Sequence, residues 1–346
     1  MRKRGSLLKH HAVVDPPAKP VQIIVVVDNL DVNTKKGILF GTITVFLVGL
    51  QPVIANSRPQ IIDAFIFAAI TALIEAIVFL PLYYFERRKL SLNQEIDKNK
   101  FLLNGWKKKD NIKLLVLIGL SFAIIPILLY IGYEITGPTN STIILKSEII
   151  FGLLFGFLIL NEKITKIQVI FCLLLFTGLF FTVTQGFSNL DELNIGVLVL
   201  IISVASFTFI HTLTKVKFDK NELFPTQIVF IRNLISGLLL LALYIIIFPL
   251  DNLQIVFDPN YFLYFLFMGL DYGFSLFFWY KTLTFIQIGT ATIVNSLTPF
   301  SAAFFSFIIL GDPFTIFHLI GVIIIIISII VIVREKENKK KLEVQN

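Results

Sequence analysis

The chain is dominated by uninterrupted apolar runs of roughly 20 residues, the length at which a helix crosses the hydrocarbon core of a bilayer. They lie at about 37–55, 61–85, 114–133, 139–160, 167–185, 195–214, 226–250, 260–280, 286–310 and 314–333. Their apolar character is continuous and does not alternate, which argues against barrel strands. Within lipid only helices and closed barrels satisfy every backbone group. The predicted fold class is therefore an all-α integral membrane protein with ten transmembrane helices. Composition agrees: 15% of the residues are charged and 56% hydrophobic, whereas a soluble domain carries ~25% charge. An ordinary soluble domain, a disordered chain and a disulfide scaffold are excluded. Cys172 is the single cysteine and reads as a small apolar residue, so no disulfide or thiolate metal site is expected. No cleavable signal peptide is expected either.

The net charge of +7 raises the question of an acidic partner. Alternating ten spans from a cytoplasmic N-terminus puts 27 of the 30 Lys and Arg residues in inside segments and only Arg58 outside. Positive residues collect on the cytoplasmic side of membrane proteins, so the charge reads as topology, with both termini cytoplasmic. The basic 86–113 loop has little beyond Phe101 and Trp106 for base stacking and no nucleic-acid motif. It reads as an orientation signal over the inner leaflet, and no nucleic-acid partner is expected. Lys146 and Arg232 remain within spans.

The chain also repeats itself. A shift of 150 residues pairs Thr142 with Thr292, Phe155 with Phe305, Leu160 with Leu310, Gly119 with Gly269 and Tyr130 with Tyr280. A shift of 159 pairs Gly37 with Gly196 and Ile43 with Ile202. Five spans per half is an odd number, so the second half is expected upside down. The domain reading is a tail at 1–35, a first repeat at 36–186, a second at 187–333 and a basic tail at 334–346. Inverted repeats characterise alternating-access carriers, whose site lies near the midplane between the halves.

Two matched stretches carry a resemblance. Ser141-Thr-Ile-Ile-Leu-Lys-Ser-Glu148 leads to Leu160-Asn-Glu-Lys-Ile-Thr165, and Thr290-Ala-Thr-Ile-Val-Asn-Ser-Leu-Thr-Pro299 leads to Leu310-Gly-Asp-Pro-Phe-Thr315. With Arg232-Asn-Leu-Ile-Ser236, they resemble the drug/metabolite transporter superfamily, with two EamA-type five-helix repeats. The chain departs from that pattern at Ile149 (usually proline), Asp312 (usually glutamate) and Ser236 (usually alanine), and span 2 has no arginine. The resemblance implies a permease and not an enzyme. Lys146-Ser-Glu148 is similar to the Lys-x-Glu of the triose-phosphate and nucleotide-sugar branches, which implies an anionic substrate.

Ionisable groups at membrane depth are site candidates, because each costs roughly 2.5–3.5 kcal/mol to insert. They are Lys146, Glu148, Glu75, Arg232 and Asp271. Lys146 and Glu148 are two apart, which on an ideal α-helix points them to opposite sides, so only one is expected in a narrow cavity. Lys146 is expected either to draw in a substrate anion or to pair with Glu75. Asp271 is read as a partner for Arg232 or for a substrate amine. Tyr130 and Tyr280 are candidate cavity linings. Pro299 lacks an N–H and frees the carbonyl of Asn295. With Asn295 and Ser296 it is read as a hinge or binding surface in span 9. Gly152 and Gly156 suit close helix packing. His211 and His318 are read as interfacial residues near helix ends.

The expected function is secondary transport of a small polar metabolite across the plasma membrane, without metal or cofactor. The reading leaves room for a coupling proton or counter-substrate, and for a homodimer through spans 5 and 10. Its alternatives are an antiporter of an anionic substrate and a non-transporting scaffold or receptor. An intramembrane protease is disfavoured because His-Glu-x-x-His is absent.

Overall fold

The computed structural model describes residues 32–92, 97–137, 140–141, 144–183, 194–311 and 323. The tails 1–31 and 334–346, the 184–193 connection and almost all of the run at 314–333 lie outside them, as does His318. The described residues are helical and contain no strand. The helices are α1 (Val32–Ser57), α2 (Ala64–Leu92), α3 (Asp97–Gly105), α4 (Lys109–Thr136), α5 (Glu148–Leu160), α6 (Lys166–Val183), α7 (Ile195–Asp219), α8 (Pro225–Ile247), α9 (Pro259–Phe285), α10 (Ile288–Asn295) and α11 (Thr298–Ile309). A 3₁₀ turn at Leu145–Ser147 leads into α5. Seven stretches are long and apolar enough to cross a bilayer: α1, α2, α4, α7, α8, α9 and the broken helix α10–α11. The first nine apolar runs thus fall on helical chain, and the tenth lies outside the described residues.

Local chemistry sets the helix ends. The Asp63 carboxylate accepts from the N–H groups of Phe65 and Ile66 at 2.8 and 2.9 Å. It thereby satisfies donors that the first turn of α2 leaves open, a cap worth about 1 kcal/mol. Asn194 and Asp258 cap α7 and α9 in the same way, and α8 and α9 begin with Pro225 and Pro259, where a missing N–H does no harm. Gly137, at φ 74°, ends α4.

Several helices outrun the apolar stretches. Helix α2 continues to Leu92. Helix α7 continues to Asp219 because Lys215, although buried, donates to the Leu283 carbonyl and to Asp219, both at 3.0 Å. Arg58, expected in a loop, is buried against Phe67 and Tyr130 and pairs with Glu134.

The packing has a pseudo-two-fold pattern. Let α1 exchange with α7, α2 with α8, α4 with α9, and α5 with α10–α11. The principal contacts among these helices map onto one another. α1 against α9 becomes α7 against α4, and α2 against α9 becomes α8 against α4. α1 against α10–α11 becomes α7 against α5, while α2–α8 and α5–α10 map onto themselves. Equivalent glycines permit these approaches. A β-carbon on Gly119 would sit 2.5 Å from Ile235 Cγ2, and one on its repeat mate Gly269 would sit 2.7 Å from Ile74 Cγ2.

Candidate functional site

Between α1, α4, α7, α8, α9, α10 and the Leu145–Ser147 turn lies a cavity of about 70 Å³. At ~10–15 Å³ per water it has room for roughly five waters. Its wall alternates aromatic and polar groups: Phe122 and Tyr133 of α4, Phe207 and His211 of α7, Tyr272, Ser275 and Trp279 of α9, and Thr44 and Gln51 of α1. Three charged residues line it, Lys146, Glu148 and Arg232, together with Asn295. Lys146 is 2% exposed and Arg232 1%.

The first charged cluster joins the two halves. Lys146 Nζ donates to the Asn295 carbonyl at 2.6 Å, and Asn295 Nδ2 donates to Glu148 Oε2 at 2.9 Å. Lys146 and Glu148 therefore share one cavity, contrary to the ideal-helix expectation. The 3₁₀ turn explains it. At 3.0 residues per turn, positions two apart diverge by about 120°, against about 160° on an α-helix. Of the two readings of Lys146, the pairing with Glu75 is not the one seen: Lys146 binds the Asn295 carbonyl and Glu75 meets Asn233 and Arg232.

The second cluster centres on Arg232. Its guanidinium carbon lies 3.7 Å from the centre of the Phe122 ring, and Nε donates to Asn233 Oδ1 at 2.9 Å. Glu75 accepts from Asn233 Nδ2 at 2.6 Å and lies 3.9 Å from Arg232 Nη2. Arg232 thus pairs with Glu75 and not with Asp271. Glu75 faces a second, smaller void of about 10 Å³, which it shares with Tyr130, Asn233 and Arg232.

The other candidates lie around this centre. Asp271 is 7% exposed and is not part of the cavity wall. Tyr280 is fully buried outside the cavity lining, its ring 5.4 Å from His211. Ser296 turns its hydroxyl back to the Ile293 carbonyl at 2.5 Å. Pro299 does not kink a continuous helix. The chain breaks at Ser296–Leu297, and Pro299 sits in the first turn of α11. Gly152 packs against Thr292 of α10.

His211 corrects the sequence reading most clearly. It is 6% exposed, lines the cavity and touches the rings of Phe122, Phe207 and Trp279. The helix runs on to Asp219, about two turns past His211, so the histidine lies inside it and not at its end. Residues the sequence reading passed over include Gln51, whose Nε2 donates to Ser275 Oγ at 2.8 Å, and Asn233. Both are amides inside apolar runs, which was the available signal.

These features define a multi-pass membrane protein with a charged cavity buried where its two halves meet. The model of the EamA-like transporter family matches residues 35–184 and again 194–334. The chain belongs to that family, within the drug/metabolite transporter superfamily. It is 28% identical over 229 residues to an uncharacterized transporter of Methanothermobacter thermautotrophicus, a match spanning 63% of each chain. A solved crystal structure superposes with a TM-score of 0.62 at 12% identity, covering 85% of this chain and 94% of the other. That likeness concerns the fold alone.

Proposed function

We propose that this protein is a secondary carrier of a small polar metabolite that works by alternating access. In this reading ten spans form two inverted five-helix repeats, with the 36–186 and 187–333 boundaries given above and both termini cytoplasmic in the plasma membrane. The observation that carries the reading is the shared cavity. Lys146 and Glu148 come from the first half, Arg232 and Asn295 from the second, and all four face one buried space. The contact pattern that survives exchange of the halves supports a rocking motion about that space. Lys146, Glu148, Arg232 and Asn295 form the binding surface, with Glu75, Tyr130, Asp271, Tyr280 and Ser296 supporting it and the break at Pro299 as the hinge. Binding closes one end of the cavity and opens the other. A coupling proton or a counter-substrate drives the cycle, and α6 with span 10 offers a face for a second copy.

The test is purified protein in liposomes, assayed for uptake and counterflow against a panel of amino acids, sugars, nucleosides and organic phosphates. Substrate-dependent exchange with one class is expected. A panel without any exchange would overturn the carrier and favour a scaffold or receptor. Lys146 and Arg232, two buried cations on the cavity wall, favour a second, narrower reading, an antiporter of an anionic substrate. It predicts that the exchanged class is anionic and that Lys146→Met raises its half-saturation concentration about tenfold or more, as expected for loss of a charge-assisted contact. An unchanged half-saturation concentration would remove it.

A further inference from the structure

Pro299 has no N–H to give, so the Asn295 carbonyl four residues back has no helical donor. The structure shows what takes that donor's place. Lys146 Nζ reaches across from the other half to the Asn295 oxygen at 2.6 Å, and Thr298 Oγ1 donates to the same oxygen at 2.6 Å. The Asn295 side chain in turn holds Glu148. Two breaks in helical winding meet at this point: the 3₁₀ turn before α5 and the gap between α10 and α11. The 150-residue repeat shift superposes them, since it carries residues 145–147 onto 295–297. The lysine therefore binds the last carbonyl of α10, at a break in winding where proline at 299 offers no competing N–H. The same ammonium faces the cavity.

A neutral carbonyl is a weaker partner for an ammonium than an anion is. Hydrogen bonds between two charged groups are shorter and roughly twice as strong as neutral ones. We propose that Lys146 and the Asn295 carbonyl form a latch between the two halves, which an anionic group entering the cavity opens by taking the ammonium for itself. In this scheme Pro299 is a positioning residue that keeps a backbone N–H from competing with Lys146 for the latch's acceptor. Lys146 both reads the ligand and releases α5 from α10–α11. The proposal deepens the carrier reading and rests on it.

The test measures the distance between α5 and α11 without requiring transport. In full-length protein carrying Cys172→Ser and reconstituted in nanodiscs, spin labels are placed through Leu158→Cys and Phe307→Cys. Both positions are exposed on the outer surface of their helices. Pulsed electron-spin distance measurements compare the parent with Lys146→Met, Pro299→Ala and the double variant. Each single change is expected to shift the distance distribution in the same direction. The double variant is expected to add nothing, because both changes remove one bond. Millimolar acetate or inorganic phosphate is expected to shift the parent the same way and to leave Lys146→Met unmoved. Additive single shifts, no shift in either single variant, or an equal anion response with and without the lysine would each overturn the latch. So would a parent that responds to neither anion. Should Pro299→Ala fail to fold, the Lys146→Met and anion arms still decide. Failure of the carrier reading would show separately, as absence of exchange in liposomes.

Discussion

Arg232 shows how a charge is kept at membrane depth. The guanidinium carbon sits 3.7 Å over the centre of the Phe122 ring, Nε donates to the neighbouring Asn233, and the group faces Glu75. A planar cation that stacks and bridges at once is specific to arginine. Removing one member of a buried charged pair costs roughly 3–5 kcal/mol, because the other is stranded. Arg232→Met is therefore expected to destabilise the purified protein by about that amount. Combining it with Glu75→Gln should cost less than the two single changes together, as for residues in one network. Thermal unfolding of the four proteins in detergent measures this, and strict additivity would mean that the two residues do not sustain one another. At this scale the sequence disclosed which residues were out of place but not whom they met. Arg232 and Glu75 stood out as ionisable groups in apolar runs, yet they lie 157 positions apart. Their pairing depends on how α2 meets α8. Lys146 and Glu148 reach one cavity for a local reason, the 3₁₀ winding between them, which leaves no mark in apolar periodicity.

The helices were the most legible part, because lipid demands long apolar runs and the backbone then has one economical form. Their ends were less so. Lys215, which reads as a boundary, is carried inside α7 by hydrogen bonds to the Leu283 carbonyl of α9 and to Asp219. The repeat was visible as scattered identities, and the packing now gives two of them a shared cause. Gly119 and Gly269 each admit an isoleucine of the other half, and Gly37 and Gly196 do the same for Ile286 and Ile135. A methyl group on Gly119 would press on Ile235 Cγ2 at 2.5 Å. Overpacking of this kind costs about 1–3 kcal/mol. Gly119→Ala is expected to lower thermal stability by that amount, and adding Ile235→Ala should recover part of it. Gly269→Ala with Ile74→Ala should behave alike. If only one of the two pairs responded, the halves would not be packing equivalently.

At the scale of the whole molecule, among the described residues one end is tied across the halves more heavily than the other. Glu222, in the α7–α8 turn, accepts from Lys108 at 2.7 Å, Asn111 at 3.0 Å and Lys217 at 3.3 Å. Glu86 of α2 accepts from Thr226 at 2.5 Å and from Lys281 at 3.3 Å. At the opposite end the bond from Tyr244 to Asp63, at 3.1 Å, joins the halves, while Arg58 and Glu134 pair within one half. A rocking carrier has to release the Glu222 and Glu86 ties to open their end. The Glu222 tie can be weakened by acid. Partial burial works to raise its carboxyl, but the hydrogen bonds from Lys108, Asn111 and Lys217 outweigh it and hold it down at about 2, against an ordinary 4.5. A group depressed in the folded state contributes stability that is complete above its unfolded value and fades as pH falls to the folded one. The difference in melting temperature between the parent and Glu222→Gln is therefore expected to be constant from neutral pH to about 5. It should shrink between about 4.5 and about 2. A difference that kept its full size down to pH 2 would mean that Glu222 holds this end by packing and not by charge. A difference that shrank on schedule would identify the carboxylate as an electrostatic tie. Glu222→Gln should then also expose a cysteine placed beneath it, as at Asn111→Cys, to water-soluble thiol reagents at neutral pH.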